Sequence, residues 1–75
     1  MSGLTAVKFE RFRQGYKTAR AVSDKAGIDA RRYAMFESGV KYRKITQEEA
    51  AAVARVLNVP VGMVADKNGL PLIVA

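Results

Sequence analysis

Between Thr18 and Gly39 the sequence reads "TARAVSDKAGIDARRYAMFESG", and its punctuation leaves room for two short helices and almost nothing between them. Thr18 opens the first, in which Ala19, Val22, Ser23 and Ala26 follow the i, i+3, i+4, i+7 spacing of one buried face. Gly27 ends it, because glycine enters the left-handed position after a helix at least cost. Asp29 is a good N-cap for the next helix, Ala30 to Ser38, which Gly39 ends in turn. Ile28 is left to plug the corner.

The second helix of this pair presents two different faces. At about 100° per residue, Tyr33 and Phe36 point one way while Arg31, Ala34, Met35 and Ser38 point the other. A helix that needed only burial has no use for an arginine and small residues on its outer face, beside the further arginine Arg32. Ala34 lacks bulk, so that face can approach another surface closely. The helix N-terminus favours phosphate, and Arg31 can serve a base edge as a forked donor. The plainer alternative is an ordinary solvated helix face.

Helical spacing continues on both sides of the pair, to about residue 65. Thr5 is expected to cap a first helix that turns Val7, Phe9, Phe12 and Tyr16 inward and stops near Gly15. After an exposed connection, "VKYRK", the run "TQEE" from Thr46 to Glu49 is a capping box. It starts a fourth helix through Leu57, with Ala50, Val53, Ala54 and Leu57 inward. Pro60 suits the first turn of a short fifth helix in "VPVGMVAD". The expected fold is all-α and compact, with five helices over residues 1–66 and an apolar tail over 67–75.

Composition narrows the function. Seventy-five residues make one small domain, which should bury roughly 60% of its unfolded surface. With no cysteine, that core stands without disulfides. With no histidine, the commonest general base and the commonest metal ligand are both missing. The remaining carboxylates are dispersed, and there is neither a nucleophile–base set nor a phosphate-cradling glycine loop. The chain is read as a non-enzyme with no cofactor and no metal. "MSGLTAVKFERFRQ" has no apolar h-region, and no stretch approaches the ~20 apolar residues of a membrane span, so a soluble, unexported protein is expected.

Charge is the more informative quantity. Residues 8–44 carry eleven lysines and arginines against four carboxylates, a net +7, while the rest of the chain carries two against three, a net −1. The excess behind the overall +6 therefore sits in one half of the chain, as expected if one face meets a polyanion. Charge that serves solubility alone is the blander reading.

The joint register of these features resembles the Cro/CI-type (lambda-repressor-like) helix-turn-helix regulators over roughly residues 7 to 65. Ser23, Gly27, Tyr33 and the closing Glu37-Ser38-Gly39 fall at that family's spacing, and "EEAAAVARVLNVPVGMV" is similar to its fourth and fifth helices. The resemblance implies a five-helix domain whose third helix enters the DNA major groove. Carried over position by position, it puts Ala30, Arg31, Ala34 and Met35 against bases. It puts Thr18, Arg32, Lys41, Tyr42, Arg43 and Lys44 near the backbone, where they would fix position rather than sequence. Tyr42 reads equally well as a packing residue at the rim. There are departures: the first position of the second helix, often a contacting glutamine, is Ala19, and Ser23 stands in place of the usual alanine. The family's helix-one arginine, which pairs with the closing glutamate, is assigned to Arg13, giving an expected Arg13–Glu37 pair.

The tail "KNGLPLIVA" opens on the turn signal Asn68-Gly69 and continues as an apolar, partly β-branched strand. A lone strand needs a partner or a cover. Leu70, Leu72 and Val74 are expected to join two protomers by strand exchange, as the resemblance suggests; the alternative is a tail folded over its own first helix. The function read from the sequence is a small dimeric repressor of a phage or mobile element, cytoplasmic and nucleoid-associated, on a pseudo-palindromic double-stranded operator. The alternative is a protein-interaction module, such as an antitoxin-like partner, with DNA binding secondary.

Overall fold

Helix boundaries follow the capping residues closely. The computed structural model describes residues 4–39 and 43–74. Within them run α1 (Ala6–Arg13), α2 (Ala19–Ala26), α3 (Ala30–Ser38), α4 (Gln47–Leu57) and α5 (Val61–Val64). The side chains of Thr5, Thr18, Asp29 and Thr46 each accept a backbone N–H of the first turn they cap. Thr46 and Glu49 close the expected capping box reciprocally. Gly27 and Gly39 end α2 and α3 at φ 74° and 73°, in the left-handed region where glycine carries no Cβ penalty. Pro60 stands at the N-cap of α5, one position before the first turn, and α5 is a single turn.

The core collects one stripe from each helix: Val7, Val22, Tyr33, Phe36, Val53 and Leu57 are fully buried, and Val64 closes one end. Ile28 is buried at the α2–α3 corner, and α2 packs on both α3 and α4. Ser23, also buried, sits where a larger side chain would hold α2 off its neighbours, and its hydroxyl donates to the Arg20 carbonyl at 3.0 Å.

The first helix departs from expectation. Phe9 and Phe12 do not face inward; they are 45% and 55% exposed. The buried residues of α1 are Ala6, Val7, Glu10 and Arg11. Arg11 takes Glu37 as its partner, with Nε donating to Oε1 and Oε2 at 2.9 and 3.0 Å while Nη1 donates to the Tyr16 carbonyl at 3.0 Å. The expected Arg13–Glu37 pair is therefore corrected to Arg11–Glu37. Arg13 lies on the exposed side and approaches Glu10 at 3.6 Å. At about 100° per residue, turning Val7 and Arg11 inward swings Phe9 and Phe12 to the far side of the helix. The Arg11 guanidinium also covers the inner edge of this face, 4.4 Å from the Phe12 ring centroid.

The tail covers its own chain. Thr5 bridges Ile73 in antiparallel fashion, with Ala6 N–H donating to the Leu72 carbonyl and Val74 N–H to the Leu4 carbonyl, each at 2.8 Å. A second bridge joins Ala65 to Pro71. The turn before it is held by Asp66, whose Oδ1 accepts the N–H groups of Asn68 and Leu70 at 2.8 and 3.0 Å. Gly69 has φ +82°, and a Cβ there would stand 2.5 Å from the Ile45 carbonyl oxygen.

Two outcomes follow for stability. Arg11→Met strips the buried Glu37 carboxyl of its ion-pair partner, and should lower the unfolding free energy in urea by about 3–5 kcal/mol. Arg13→Ala should change it by no more than about 0.5 kcal/mol; equal costs at the two positions would contradict the assigned pair. Gly69→Ala meets both the positive φ and the Ile45 backbone, and should cost more than about 1 kcal/mol by thermal unfolding.

Candidate nucleic-acid interface

The α2–α3 corner sets the outer face of α3. Gly27 turns the chain, Ile28 anchors it in the core with its N–H on the Ser23 carbonyl at 2.9 Å, and Asp29 Oδ2 accepts the Arg32 N–H at 2.9 Å. With Tyr33 and Phe36 buried on one side, Arg31 and Ala34 are exposed on the other, and Ala30 and Met35 are partly exposed. The four residues expected to face bases thus share one outward surface.

At the closing end of α3, Glu37 is held twice. Its carboxylate takes Arg11, and its backbone carbonyl accepts the Thr5 hydroxyl at 2.6 Å. Burial and the neighbouring Glu37 carboxylate push the Tyr33 hydroxyl far above the usual tyrosine range, with Arg11 acting weakly the other way. Tyr33 is neutral at any ordinary pH and serves packing. Its ring sits 6.2 Å from that of Phe36, tilted by 38°.

The cations gather beside this face. Asp29, Arg31, Arg32, Met35, Arg43 and Lys44 line an open cleft between α3 and the connection that follows it. Arg31, Arg43 and Lys44 are exposed and have no ion-pair partner among the described residues. Thr18 is exposed at the start of α2, its hydroxyl accepting the Ala21 N–H at 3.2 Å. Lys41 and Tyr42 lie outside the described residues.

Arg32 differs from its neighbours. Its Nη1 donates to Oε2 of Glu49, in the first turn of α4. Partial burial raises the Glu49 carboxyl, but the Thr46 backbone N–H and then the charge and hydrogen bond of Arg32 outweigh it, so the group sits below the usual carboxylate range. Sequence reasoning saw Glu49 only as a capping residue. The signal for its second role was the pairing of an acid at that cap with an arginine of the preceding helix, 17 positions earlier, and nothing local reports it.

Among the described residues no group of acidic side chains could hold a metal ion. No helix among them is long and apolar enough to cross a membrane. What the surface offers is a narrow, small-residue helix face bordered by Arg31, Arg43 and Lys44, cations without an ion pair among the described residues, which suits a grooved polyanion. The family model described as helix-turn-helix matches residues 10–63, which span the interface and most of the core. Neither a curated protein nor a solved structure matches the chain.

Proposed function

This chain belongs to the Cro/CI-type helix-turn-helix family of DNA-binding transcriptional regulators, and from that premise we propose that it is a small dimeric repressor of a phage or other mobile element. It reads a pseudo-palindromic operator in the major groove with the helix over 29–38. The observation that carries this reading is the outward face of α3, where an arginine without a counter-ion among the described residues stands beside the methyl-sized Ala34. Arg31 donates two hydrogen bonds to a guanine, Ala34 and Met35 touch a thymine methyl, and Ala30 completes the base-facing set. Thr18, Arg32, Lys41, Tyr42, Arg43 and Lys44 hold the phosphate backbone on the two flanks.

Dimerisation is assigned to the tail over 67–75, through Leu70, Leu72 and Val74. Leu70 and Leu72 are half-buried against their own chain, whereas Val74 and its neighbour Ile73 are exposed. Val74 lies on the rim of an apolar groove with Leu4, Phe9 and Met63. Contiguous apolar surface of this kind marks protein contacts, and a second copy is the occupant a two-half-site operator calls for. The same groove supports a second reading, an antitoxin-like interaction module whose partner is another protein. Retardation of a defined duplex by the chain alone, against excess random DNA, favours the repressor; no retardation favours the module.

Reading and holding are different tasks, so variants should differ in kind. On the duplex that the protein selects from a random pool, Arg31→Ala should cost about 1–3 kcal/mol and flatten preference at one base pair per half-site. Lys44→Ala should weaken selected and random duplexes alike and reduce the salt slope by about one unit. Equal losses on both duplexes for Arg31→Ala would move the reading role elsewhere, first to Arg32. Deleting residues 73–75 spares the backbone bonds that Gly69 and Leu72 make to Ile45 and Ala6. That deletion should give a monomer by sedimentation, with helical circular dichroism kept and DNA affinity sharply reduced. A persistent dimer would leave Leu70 and Leu72, or Val61 and Met63 on α5, as the interface, and a dimer that also survives deletion of residues 69–75 would assign it to α5.

A further inference from the structure

Of the four described cations in the cleft beside α3, only Arg32 is held by a carboxylate. Both ends of that residue are tied. Its backbone N–H goes to Asp29 Oδ2, and its guanidinium goes to Glu49 Oε2. Glu49 is itself already immobile, since Oε1 accepts the Thr46 N–H at 2.8 Å and its own N–H donates to the Thr46 hydroxyl at 3.1 Å. An exposed ion pair is weak mainly because two long side chains must be ordered to make it. Here the capping box has ordered one of them in advance. The Glu49 side chain is 19% exposed and that of Arg32 47%, so the anchor is sheltered while part of the guanidinium faces solvent. The Glu49 carboxyl is held below its usual range, and the positive end of the α4 dipole adds to this, so the anchor stays charged at neutral pH.

We propose that Glu49 is a specificity-determining residue for DNA binding: its carboxylate holds the Arg32 guanidinium against the start of α4 and withholds that cation from randomly placed phosphates. This rests on the DNA-binding reading and adds to it a residue that touches no DNA. A guanidinium on a free stem follows any phosphate that passes, and so contributes equally to every sequence. Held on Glu49, Arg32 reaches a phosphate only where α3 is seated in one register. Arg31, Arg43 and Lys44 carry no such restraint among the described residues. The cleft therefore combines three freely available cations with one that is rationed by position.

The test is the salt dependence of binding for the full chain and its Glu49→Gln variant, on random and selected duplexes. Glutamine still closes a capping box, so the fold is kept while the ion pair is lost. The expected result is a random-duplex salt slope steeper by about one unit, so that the affinity lost between 50 and 200 mM salt grows about three- to fourfold. Selected-duplex affinity should change less, and the preference for it should narrow. Glu48→Gln removes the same charge one position earlier, from an exposed residue with no ion pair among those described, and should leave the slope unchanged. Adding Arg32→Ala to Glu49→Gln should restore the original slope. An unchanged slope in Glu49→Gln, or the same steepening in Glu48→Gln, overturns the proposal. A parent chain that binds no duplex overturns the DNA reading itself and this proposal with it, whereas a parent that binds while Glu49→Gln behaves identically overturns only the role of Glu49.

Discussion

The Arg11–Glu37 ion pair is the constraint around which the rest of the domain is arranged. Both side chains are almost wholly inaccessible to solvent, and they join helices 26 positions apart in the chain. Taking two charges out of water is costly, and the cost is offset only when geometry is good and the spare donors are satisfied. Here Arg11 Nε meets both carboxylate oxygens, and its Nη1 goes to the Tyr16 carbonyl. Thr5 adds a clasp at the same place, accepting the Lys8 N–H with the hydroxyl that it donates to the Glu37 carbonyl. One residue thus caps α1 and fixes the end of α3.

Fixing α3 at both ends has a functional consequence. Its N-terminus is set by the Gly27–Ile28–Asp29 corner and its C-terminus by Arg11 and Thr5. A helix that presents base-reading side chains must hold its rotation closely, because hydrogen bonds to base edges tolerate little displacement. Burying Tyr33 and Phe36 sets that rotation from within. The outer face can then be built of small residues and an arginine with no ion-pair partner among the described residues, as the proposed base-reading role requires.

The same ion pair explains the apolar surface on the other side of the molecule. Turning Arg11 inward leaves Phe9 and Phe12 outside, Phe9 next to Met63 and the tail. A domain of this size has little core to spare, and exposing two phenylalanines forgoes hydrophobic stabilisation that it could otherwise use. That arrangement fits the dimer proposed above, in which a second copy would cover the rear face.

Much of this was legible from the residues alone, and the legible part has one character: it is local. Caps act within three positions, helical periodicity within seven, and left-handed glycines at a single residue, so Thr5, Thr18, Asp29, Thr46, Gly27 and Gly39 declare the helices unaided. The outward face of α3 follows from the same periodicity once Tyr33 and Phe36 are assigned to the core. What sequence could not supply were choices between partners far apart in the chain. Whether Arg11 or Arg13 meets Glu37 depends on how α1 rolls against α3, and apolar content argued for the wrong roll because phenylalanine is ordinarily inside. Whether the tail finds residues 4–6 depends on where α5 delivers it, and whether Arg32 finds Glu49 depends on how α4 starts beside α3. By itself the sequence determined the helices, their ends and the outward face of α3, since short-range hydrogen bonding and periodicity suffice for these. Tertiary structure alone decided which charges are paired and which are left free, because pairing is a matter of distance in space, and a local pattern carries no record of it.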